Sequence, residues 1–453
     1  MRQRAAELSA TGRRAAFGKF LKSFGVFGAG IPHYQMKRAF GVWRRIERRC
    51  SGTSFKRPKP KKTIKRHFTS TLAAAVLGLL ASSGFAAAQT YTITDLGADT
   101  TPYAVNDAGQ VAGAVNYPAT TTKNTTIPAY GRGFIWNNGA RTVFGTLGGP
   151  NSVARDINIY GQVAGYADTS SVSGSARACL WDATGIHNLN LVAGPNGITA
   201  ASLGWVLTSA YGINDNGQIV GRGVKTGETS STDAYLWERD AAGNVAVQRV
   251  NLGNPQSGDA ETRGINNAGQ VAGSVPNVVS GLTWPYASLW QRDLNGVGYN
   301  VPLGLLDGRA SQAYSINNFA EVVGYALLAN GRPNAFYWSD ANGNGVSDPG
   351  EMVSLGTLGG LHSVAFTIND AGQVVGWAFD AAGAYRAFVW DAVNGMHDLN
   401  ALSNVGSTWL LKEARAINNP GRIVGVGSFT VISVGRGNKV TYSTQNHGFL
   451  LTP

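Results

Sequence analysis

The hydrophobic and polar positions of this chain recur with a period of about 52 residues. The recurring phrase begins with an aliphatic residue, Asn and two further residues. It continues with a position that is usually Gly, then Gln or Arg, two aliphatic or small residues and a final Gly, as in TINDAGQVVG. Successive copies of the central Asn (the repeat Asn) are 52, 56, 52, 51, 52 and 49 residues apart. This period indicates a repeat architecture. The seven repeat Asn residues are Asn106, Asn158, Asn214, Asn266, Asn317, Asn369 and Asn418.

Each copy has the pattern of four short strands. The stretch before the repeat Asn predicts the first strand, and the segment after it predicts a tight turn, in which Gly adopts a positive φ at no steric cost. The second strand follows, then a third ending in Trp, such as AFYW at Trp338, and a fourth in a Leu-Gly phrase. The fifth copy has Phe319-Ala320-Glu321 and no turn Gly, so we expect a different turn there. Four antiparallel strands per repeat are typical of a propeller blade.

The seventh copy supplies only three strand phrases, the third ending at Leu451. The segment from Thr92 to Gly97, which precedes the first copy, matches the missing fourth-strand phrase. We therefore predict an all-β fold over residues 89–453, a seven-bladed β-propeller of four-stranded antiparallel blades. The N-terminal strand is expected to close the last blade, because a ring leaves fewer exposed strand edges than an open array.

The third-strand phrase carries a family resemblance. Arg386-Ala387-Phe388, Asn334-Ala335-Phe336 and His447-Gly448-Phe449 are similar to the His-Ala-Phe triplet of the extracellular HAF-repeat family. The chain resembles that family over essentially all of residues 89–453. The resemblance implies an exported repeat protein, but it implies no catalytic residues and no defined activity.

Residues 61–88 have the layout of a secretory signal peptide. Basic residues from Lys61 to Arg66 precede ten apolar residues, 72–81, and Ala86-Ala87-Ala88 offers a cleavage site before Gln89. We therefore predict a secreted protein, located outside the cell, in the periplasm or on the cell surface. The alternative is an uncleaved anchor, although the apolar run is short for a membrane span. We expect no stable membrane anchor.

The basic charge of the chain is confined to its N-terminal part. Residues 1–67 contain 19 of the 38 Lys and Arg but only two of the 26 acidic residues, and the formal net charge of +12 originates there. The remainder has 19 basic and 24 acidic residues, a net charge of −5. We therefore expect the mature chain to bind no nucleic acid and to be a monomer. Residues 1–60 are a basic leader, explained by a start codon assigned too far upstream or by an arm that binds nucleic acid or anionic lipid.

One segment of the fifth copy fits the calcium-loop pattern of EF-hands. Hard oxygen ligands at these spacings suit calcium, and the flanking strands predict a structural loop and not a helical switch. The alternative is an ordinary hairpin loop, which uses the same residue types. Shorter versions at 240–243 and 293–296 lack the closing Glu. The predicted ligands are Asp340, Asn342, Asn344, the Val346 carbonyl, Asp348 and Glu351.

Several aromatic residues lie outside the recurring phrase. Trp205, Trp284, Tyr286 and Trp409 belong to connections between second and third or fourth and first strands. These connections share one face of a propeller and are the longest, so we expect a ligand site on this face. Exposed rings there would stack on sugars or peptide groups. The alternative is that they cover the joints between loops and core.

These features favour a binding or adhesion module at the cell surface, with an extracellular glycan or protein as partner. The sequence contains no HExxH, GxSxG or P-loop motif, so an enzyme is the less favoured hypothesis. Two alternatives stay open. One is an extracellular hydrolase or lyase with its site at the propeller channel, and the other is a structural matrix protein.

The calcium loop is tested by thermal unfolding. Calcium should raise the melting temperature of the wild type relative to chelator, because the ion would cross-link the loop in the folded state alone. Asp340→Ala should abolish that shift, whereas Asp293→Ala, in a segment without the closing Glu, should retain it. A wild-type melting temperature that calcium does not move would contradict the prediction.

Overall fold

The computed structural model describes residues 90–122, 126–172, 174–227, 232–250, 252, 260–279, 282–403, 406–434 and 438–453. The predicted leader, 1–60, and signal peptide, 61–88, lie outside the described residues. The chain divides into two compact units. The larger comprises Ala81–Asp340 and Gly345–Pro453. The smaller comprises Met1–Leu80 and Ala341–Asn344, of which the structure describes the last four residues, a bend in which Gly343 has a φ of 72°.

The larger unit is a seven-bladed β-propeller, and each blade is a four-stranded antiparallel sheet. The strands of blade 1 are β2 (Thr100–Val105), β3 (Val111–Tyr117), β6 (Tyr130–Asn137) and β7 (Ala140–Val143). A two-stranded ribbon, β4 (Thr120–Thr121) and β5 (Thr126–Ile127), lies within its β3–β6 connection. Blade 2 contains β8 (Ser152–Ile157), β9 (Val163–Asp168), β10 (Ala176–Asp182) and β11 (Gly185–Asn188). Blade 3 contains β12 (Trp205–Ile213), β13 (Ile219–Lys225), β14 (Asp233–Arg239) and β15 (Val245–Arg249).

The remaining four blades continue the same order. Blade 4 contains β16 (Glu261–Ile265), β17 (Val271–Val279), β18 (Leu282–Arg292) and β19 (Gly298–Pro302). Blade 5 contains β20 (Ser311–Ile316), β21 (Val322–Leu327), β22 (Pro333–Trp338) and β23 (Met352–Ser354). Blade 6 contains β24 (Gly359–Ile368), β25 (Val374–Asp380), β26 (Tyr385–Asp391) and β27 (Gly395–Asp398), followed by the short helix α1 (Leu399–Leu402). Blade 7 contains β28 (Trp409–Ile417), β29 (Ile423–Val434), β30 (Val440–Thr452) and β1 (Thr92–Ala98).

The predicted closure of the ring is confirmed. The N-terminal strand β1 pairs antiparallel with β30 as the outermost strand of blade 7, from Thr92 opposite Thr452 to Ala98 opposite His447. At the same joint, His447 Nδ1 lies 2.9 Å from a carboxylate oxygen of Asp95. The part of the chain that the structure describes contains no helix with the length and apolar character of a membrane span.

The hydrophobic core lies between consecutive blades. Trp205 and Tyr235 of blade 3 pack with Leu189 of blade 2, and Phe336 and Trp338 of blade 5 pack in the same way against blade 4. Large aromatic side chains bury much apolar area at such joints. The recurring Trp of the third strand therefore belongs to the contact surface that holds neighbouring blades together, as a repeat that cannot bury both faces alone requires.

The repeat Asn residues link each blade to the next. Asn266 donates two hydrogen bonds from Nδ2, to the Asn317 carbonyl of the next blade (3.0 Å) and to Gln270 Oε1 (2.8 Å). Its Oδ1 accepts from the backbone N–H of Gln270 (2.9 Å). Equivalent Nδ2-to-carbonyl bonds of 2.8–3.3 Å run from every blade to its neighbour. The bond from Asn418 to the Asn106 carbonyl closes this asparagine ring.

The turn of blade 5 does not differ from the others, so the expectation of a different turn was wrong. Ala320 occupies the Gly position with a φ of 62°, and its N–H donates to the Asn317 carbonyl at 3.1 Å, as the turn Gly residues do in other blades. Positive φ costs a non-Gly residue roughly 1–2 kcal/mol. The asparagine ring explains why the turn persists, since Asn317 keeps the same bonds to Asn369 and Glu321.

Candidate functional site: the central channel

The innermost strands of the seven blades line a central cavity of about 480 Å³. Its wall is built from the residues around each repeat Asn, from three positions before it to one position after it. The residues three positions before the repeat Asn are called the channel residues. They are Tyr103, Arg155, Tyr211, Arg263, Tyr314, Phe366 and Arg415.

A β-bulge aims each channel residue at the cavity. In blade 1, Pro102 pairs with Gly113 and Ala104 pairs with Ala112, which leaves Tyr103 without a partner residue on β3. The same shift occurs at the channel residue of all seven blades. A bulge inserts one unpaired residue into a strand and redirects its side chain. The channel residues therefore depend on a distortion that is repeated around the ring.

The last Gly of the recurring phrase makes room for this bulge. Gly324 pairs with Ala313, and a Cβ atom on Gly324 would lie 1.9 Å from the Gln312 carbonyl oxygen. No real Cβ approaches a backbone oxygen so closely, so another residue would force the two strands apart. In the other blades the corresponding distance is 1.9–2.5 Å, at Gly113, Gly165, Gly221, Gly273, Gly376 and Gly425.

The channel residues form a closed belt in which cations and aromatic rings alternate, except where the rings of Tyr314 and Phe366 are neighbours. The Arg155 guanidinium lies 4.7 Å from the Tyr103 ring centroid and 6.0 Å from that of Tyr211. Arg263 lies 5.2 Å from the Tyr211 ring and 5.6 Å from the Tyr314 ring. These distances are those of cation–π contacts.

The belt is completed through blades 6 and 7. The rings of Tyr314 and Phe366 are 5.8 Å apart. Arg415 then lies 5.8 Å from the Phe366 ring and 5.4 Å from the Tyr103 ring of blade 1. Three guanidinium groups and four aromatic rings therefore surround the cavity as a continuous Arg-aromatic belt.

The three guanidinium groups differ in how their charge is compensated. Arg263 forms an ion pair with Glu261 (2.7 Å) and Arg415 one with Glu413 (2.6 Å). Among the described residues, no carboxylate lies within ion-pair distance of Arg155. Burial raises the pKa of the neighbouring Tyr166 hydroxyl, and Arg155 opposes that shift in part. In all three arginines the Nε–H is buried with no acceptor among the described residues.

A second set of polar groups surrounds the cavity at the tight turns. The residue after each repeat Asn (the mouth residue) accepts a hydrogen bond from the preceding blade. Asn318 Oδ1 accepts from the Asn267 N–H, for example, and Asp107 Oδ1 from the Asn419 N–H, both at 2.9 Å. The series is interrupted at Ile159 of blade 2, whose side chain has no acceptor. The mouth residues are Asp107, Ile159, Asp215, Asn267, Asn318, Asp370 and Asn419.

Asp156 is a carboxylate in the channel wall. Burial raises the pKa of Asp156 to about 6, and the charge of Asp215 adds to the rise. Two backbone N–H bonds oppose it, from Ile213 (2.8 Å) and from Ile157 (2.9 Å). The bond to Ile213 crosses from blade 2 to blade 3, so the ionisation of Asp156 is coupled to that joint.

The four aromatic residues predicted for ligand contact lie on three blades and do not belong to the described cavity wall. Trp205 is only 2% exposed, in the core between blades 2 and 3. Trp409 is partly buried against Phe429, His447 and Phe449. These two placements correspond to the alternative in which such rings cover joints between loops and core.

Trp284 and Tyr286 lie together on β18 of blade 4. Trp284 is partly buried, and the Arg309 guanidinium lies 5.8 Å from its ring. Tyr286 is partly buried against the core between blades 3 and 4, and burial raises the pKa of its hydroxyl. Ligand contact by these two residues, as by Trp205 and Trp409, stays a prediction.

The predicted calcium loop falls in both compact units. In the larger unit, Asp340 Oδ2 accepts from the Gly345 N–H (3.0 Å), and the buried Glu351 accepts from the Asp348 N–H (2.9 Å) through Oε2. In the smaller unit, the Asn344 N–H donates to Asn342 Oδ1 at 2.9 Å. Among the described residues, no three His, Cys, Asp or Glu side chains are grouped to hold a metal. Two of the predicted ligands, Asn342 and Asn344, would bind calcium through amide oxygens and are not among these residue types. Calcium binding therefore stays a prediction.

The Arg-aromatic belt was not predicted from the sequence, although the sequence contains a signal for it. At the third position before the repeat Asn the copies read Tyr, Arg, Tyr, Arg, Tyr, Phe and Arg, while the neighbouring positions are mostly small or aliphatic. If the strand were regular, the sequence would not show on which face of the sheet this side chain lies. Only the bulge, which depends on pairing with the second strand, turns it into the channel.

No family model and no curated protein matches the chain. Solved β-propeller structures do match. The β-propeller domain of the Trilobed protease from Pyrococcus furiosus, described as having an open velcro topology, is 12% identical with a TM-score of 0.42, over 79% of this chain and 95% of that one. Uncomplexed acylaminoacyl peptidase from Pyrococcus horikoshii is 11% identical with a TM-score of 0.43, over 77% of this chain and 52% of that one. The chain thus spans about half of the peptidase. At such identities the likeness concerns the fold alone.

The close approach of Gly324 to the Gln312 carbonyl oxygen predicts that one added methyl group lowers the stability of the fold strongly. Gly324→Ala should destabilise the protein by about 1–3 kcal/mol or more, because the innermost strand β20, which carries Gln312, must move away from Gly324 of β21. Gly145→Ala is the matched control, since a Cβ there meets no atom within 4 Å. Urea unfolding of both variants measures the difference, and equal stabilities would contradict the role assigned to the bulge.

The raised pKa of Asp156 predicts how stability changes with pH. An unfolded Asp titrates near 3.9, so the protonated form favours the folded state, and this contribution is complete below pH 4 and lost as the pH rises through 6. From pH 4 to 7 the wild type should lose on the order of 2 kcal/mol relative to Asp156→Asn, which does not titrate. Urea unfolding of both proteins at a series of pH values measures this. A difference that stays constant with pH would show that Asp156 has an ordinary pKa.

Proposed function

We propose that this protein is a binding module that takes a small anionic organic ligand into its central channel. The proposal rests chiefly on the Arg-aromatic belt. Its three guanidinium groups each retain a buried Nε–H without an acceptor among the described residues, beside four aromatic rings and a cavity of about 480 Å³. Cavities of this size with a few convergent polar groups are typical of small-molecule sites.

The chemistry of the belt favours a ligand that is both anionic and flat or ring-shaped. A guanidinium donates paired hydrogen bonds to a carboxylate or another oxyanion. Aromatic faces pack against the apolar faces of sugars and planar rings. A carboxylated sugar combines both properties, so the channel supports the glycan hypothesis with an acidic sugar as the ligand.

The other sequence-based predictions are compatible with this function and are proposals in their own right. Export through the signal peptide would expose the channel to extracellular saccharides. A calcium ion bound at the loop of residues 340–351 would stabilise one long connection. An enzyme with its site in the channel and a structural matrix protein are the alternatives, and they make different predictions for the experiment below.

Thermal shift with a ligand panel tests the proposal. Glucuronate, benzoate, acetate, sulfate and phosphate are compared with glucose, a neutral control. At least one anion should raise the melting temperature of the wild type, and a variant with Arg155, Arg263 and Arg415 all changed to Gln should lose that shift. Trp284→Ala, on β18 and outside the cavity wall, should retain it.

The other outcomes are equally informative. If no anion stabilises the wild type more than the triple variant, the proposed function is wrong. If Trp284→Ala loses the shift and the triple variant keeps it, the ligand binds at Trp284 instead of in the channel. If an acidic oligosaccharide is cleaved by the wild type and not by the triple variant, the channel is an enzyme site and the binding-module proposal fails.

A further inference from the structure

Blade 2 differs from the other two blades that place an arginine in the channel. Where blades 4 and 7 place an arginine in the belt, a glutamate stands two residues earlier, Glu261 before Arg263 and Glu413 before Arg415. In blade 2 the residue two positions before Arg155 is Val153. Of the three arginines in the belt, Arg155 is therefore the one without a glutamate two residues before it.

The missing glutamate leaves the Arg155 guanidinium without a carboxylate partner among the described residues, although the Tyr166 hydroxyl forms a hydrogen bond with it. Stacking on aromatic rings occupies the faces of a guanidinium, whereas its hydrogen bonds lie in the plane. The in-plane Nη2 groups of Arg263 and Arg415 are engaged by their glutamates at 2.7 and 2.6 Å. Arg155 has the same kind of contacts, to the rings of Tyr103 and Tyr211 and also of Tyr166, and no carboxylate of the described residues on its edge.

Two further departures occur in the same blade. Asp156 stands where the other blades have Ala, Gly, Ser or Thr, and its two oxygens accept backbone N–H bonds within the wall, including that of Ile213 in blade 3. Ile159 interrupts the hydrogen-bonded series of mouth residues, beside Tyr160, which is 74% exposed. Blade 2 therefore places a cation in the channel. Next to it, Asp156 holds the innermost strand by hydrogen bonds, and the mouth residue of this blade is the apolar Ile159.

We propose that blade 2 carries the anion-recognition subsite of the channel, in which Arg155 binds a ligand carboxylate between the rings of Tyr103 and Tyr211. The proposal deepens the proposed function and rests on it. A carboxylate would take the position that Glu261 and Glu413 occupy in blades 4 and 7. Its planar shape matches the edge of the guanidinium. The two tyrosine rings limit the site to a flat group, which favours a carboxylate over a tetrahedral phosphate.

The test measures carboxylate affinity and stoichiometry by titration calorimetry, with glucuronate and benzoate as probes and inorganic phosphate for comparison. Arg155→Gln should weaken binding by about tenfold or more, the loss of a charge-assisted hydrogen bond. Arg263→Gln, whose charge is already paired, should weaken it less than about threefold. The sharpest variant is Val153→Glu, which gives blade 2 the glutamate of blades 4 and 7 and should abolish binding although Arg155 remains.

Two controls keep the result interpretable. Val153→Thr, of similar volume, should bind as the wild type does, and circular dichroism establishes that every variant is folded. Glu261→Val should add a second site at Arg263 and raise the stoichiometry from one carboxylate per chain to two.

If the wild type binds a carboxylate and neither Arg155→Gln nor Val153→Glu weakens it more than Arg263→Gln does, the subsite is wrong while the channel function survives. If phosphate binds more tightly than both carboxylates, the ligand class is wrong. If the wild type binds none of these anions, the subsite and the proposed function both fail.

Discussion

A buried asparagine at the end of each innermost strand joins one blade to the next, and the rest of the molecule depends on this contact. Oδ1 of the side chain holds its own turn by accepting backbone N–H bonds, while Nδ2 donates to the repeat Asn carbonyl of the following blade. A buried amide needs hydrogen-bond partners for both its Oδ1 and its Nδ2. This residue therefore makes the turn and the blade interface depend on each other. The bond from Asn418 to Asn106 makes the series a ring, together with the strand exchange at β1 and β30.

The same repeat positions the chemistry of the channel. The final Gly of the phrase leaves space for the bulge, and the bulge directs the channel residue into the cavity. The asparagine ring keeps neighbouring channel residues within contact distance. Seven side chains from distant parts of the sequence thereby form one belt without any loop to carry them. Sites built on strands are held more accurately than sites on loops, because the strand register fixes them. The belt can therefore vary in residue type, as at Arg155, while its geometry stays constant.

Much of the fold could be predicted from the sequence, because its information is local and repeated. The phrase around Asn266 encodes a turn, two strands and their spacing in ten residues, and the match of Thr92–Gly97 to a fourth-strand phrase predicted the closure. The site could not be predicted in the same way. The direction of Tyr103 depends on its register against Gly113, and the burial of Trp205 depends on Leu189 of another blade. The turn at Ala320 was mispredicted because a local preference for Gly yields to bonds made across the ring.

The most direct test of the central claim is the stability of Asn266→Asp as a function of pH. Aspartate keeps the oxygen that accepts from the Gln270 N–H but loses the donor to the Asn317 carbonyl, and Asn266 is only 3% exposed. At pH 7 the variant should be destabilised by about 1–3 kcal/mol or more, since a buried acid would face two acceptors. Below its pKa the protonated acid regains one donor, so the loss should shrink as the pH falls, measured relative to the wild type at each pH. A variant as stable as the wild type at pH 7, or a loss that does not shrink with acid, would contradict the asparagine ring as the interaction that holds the blades together.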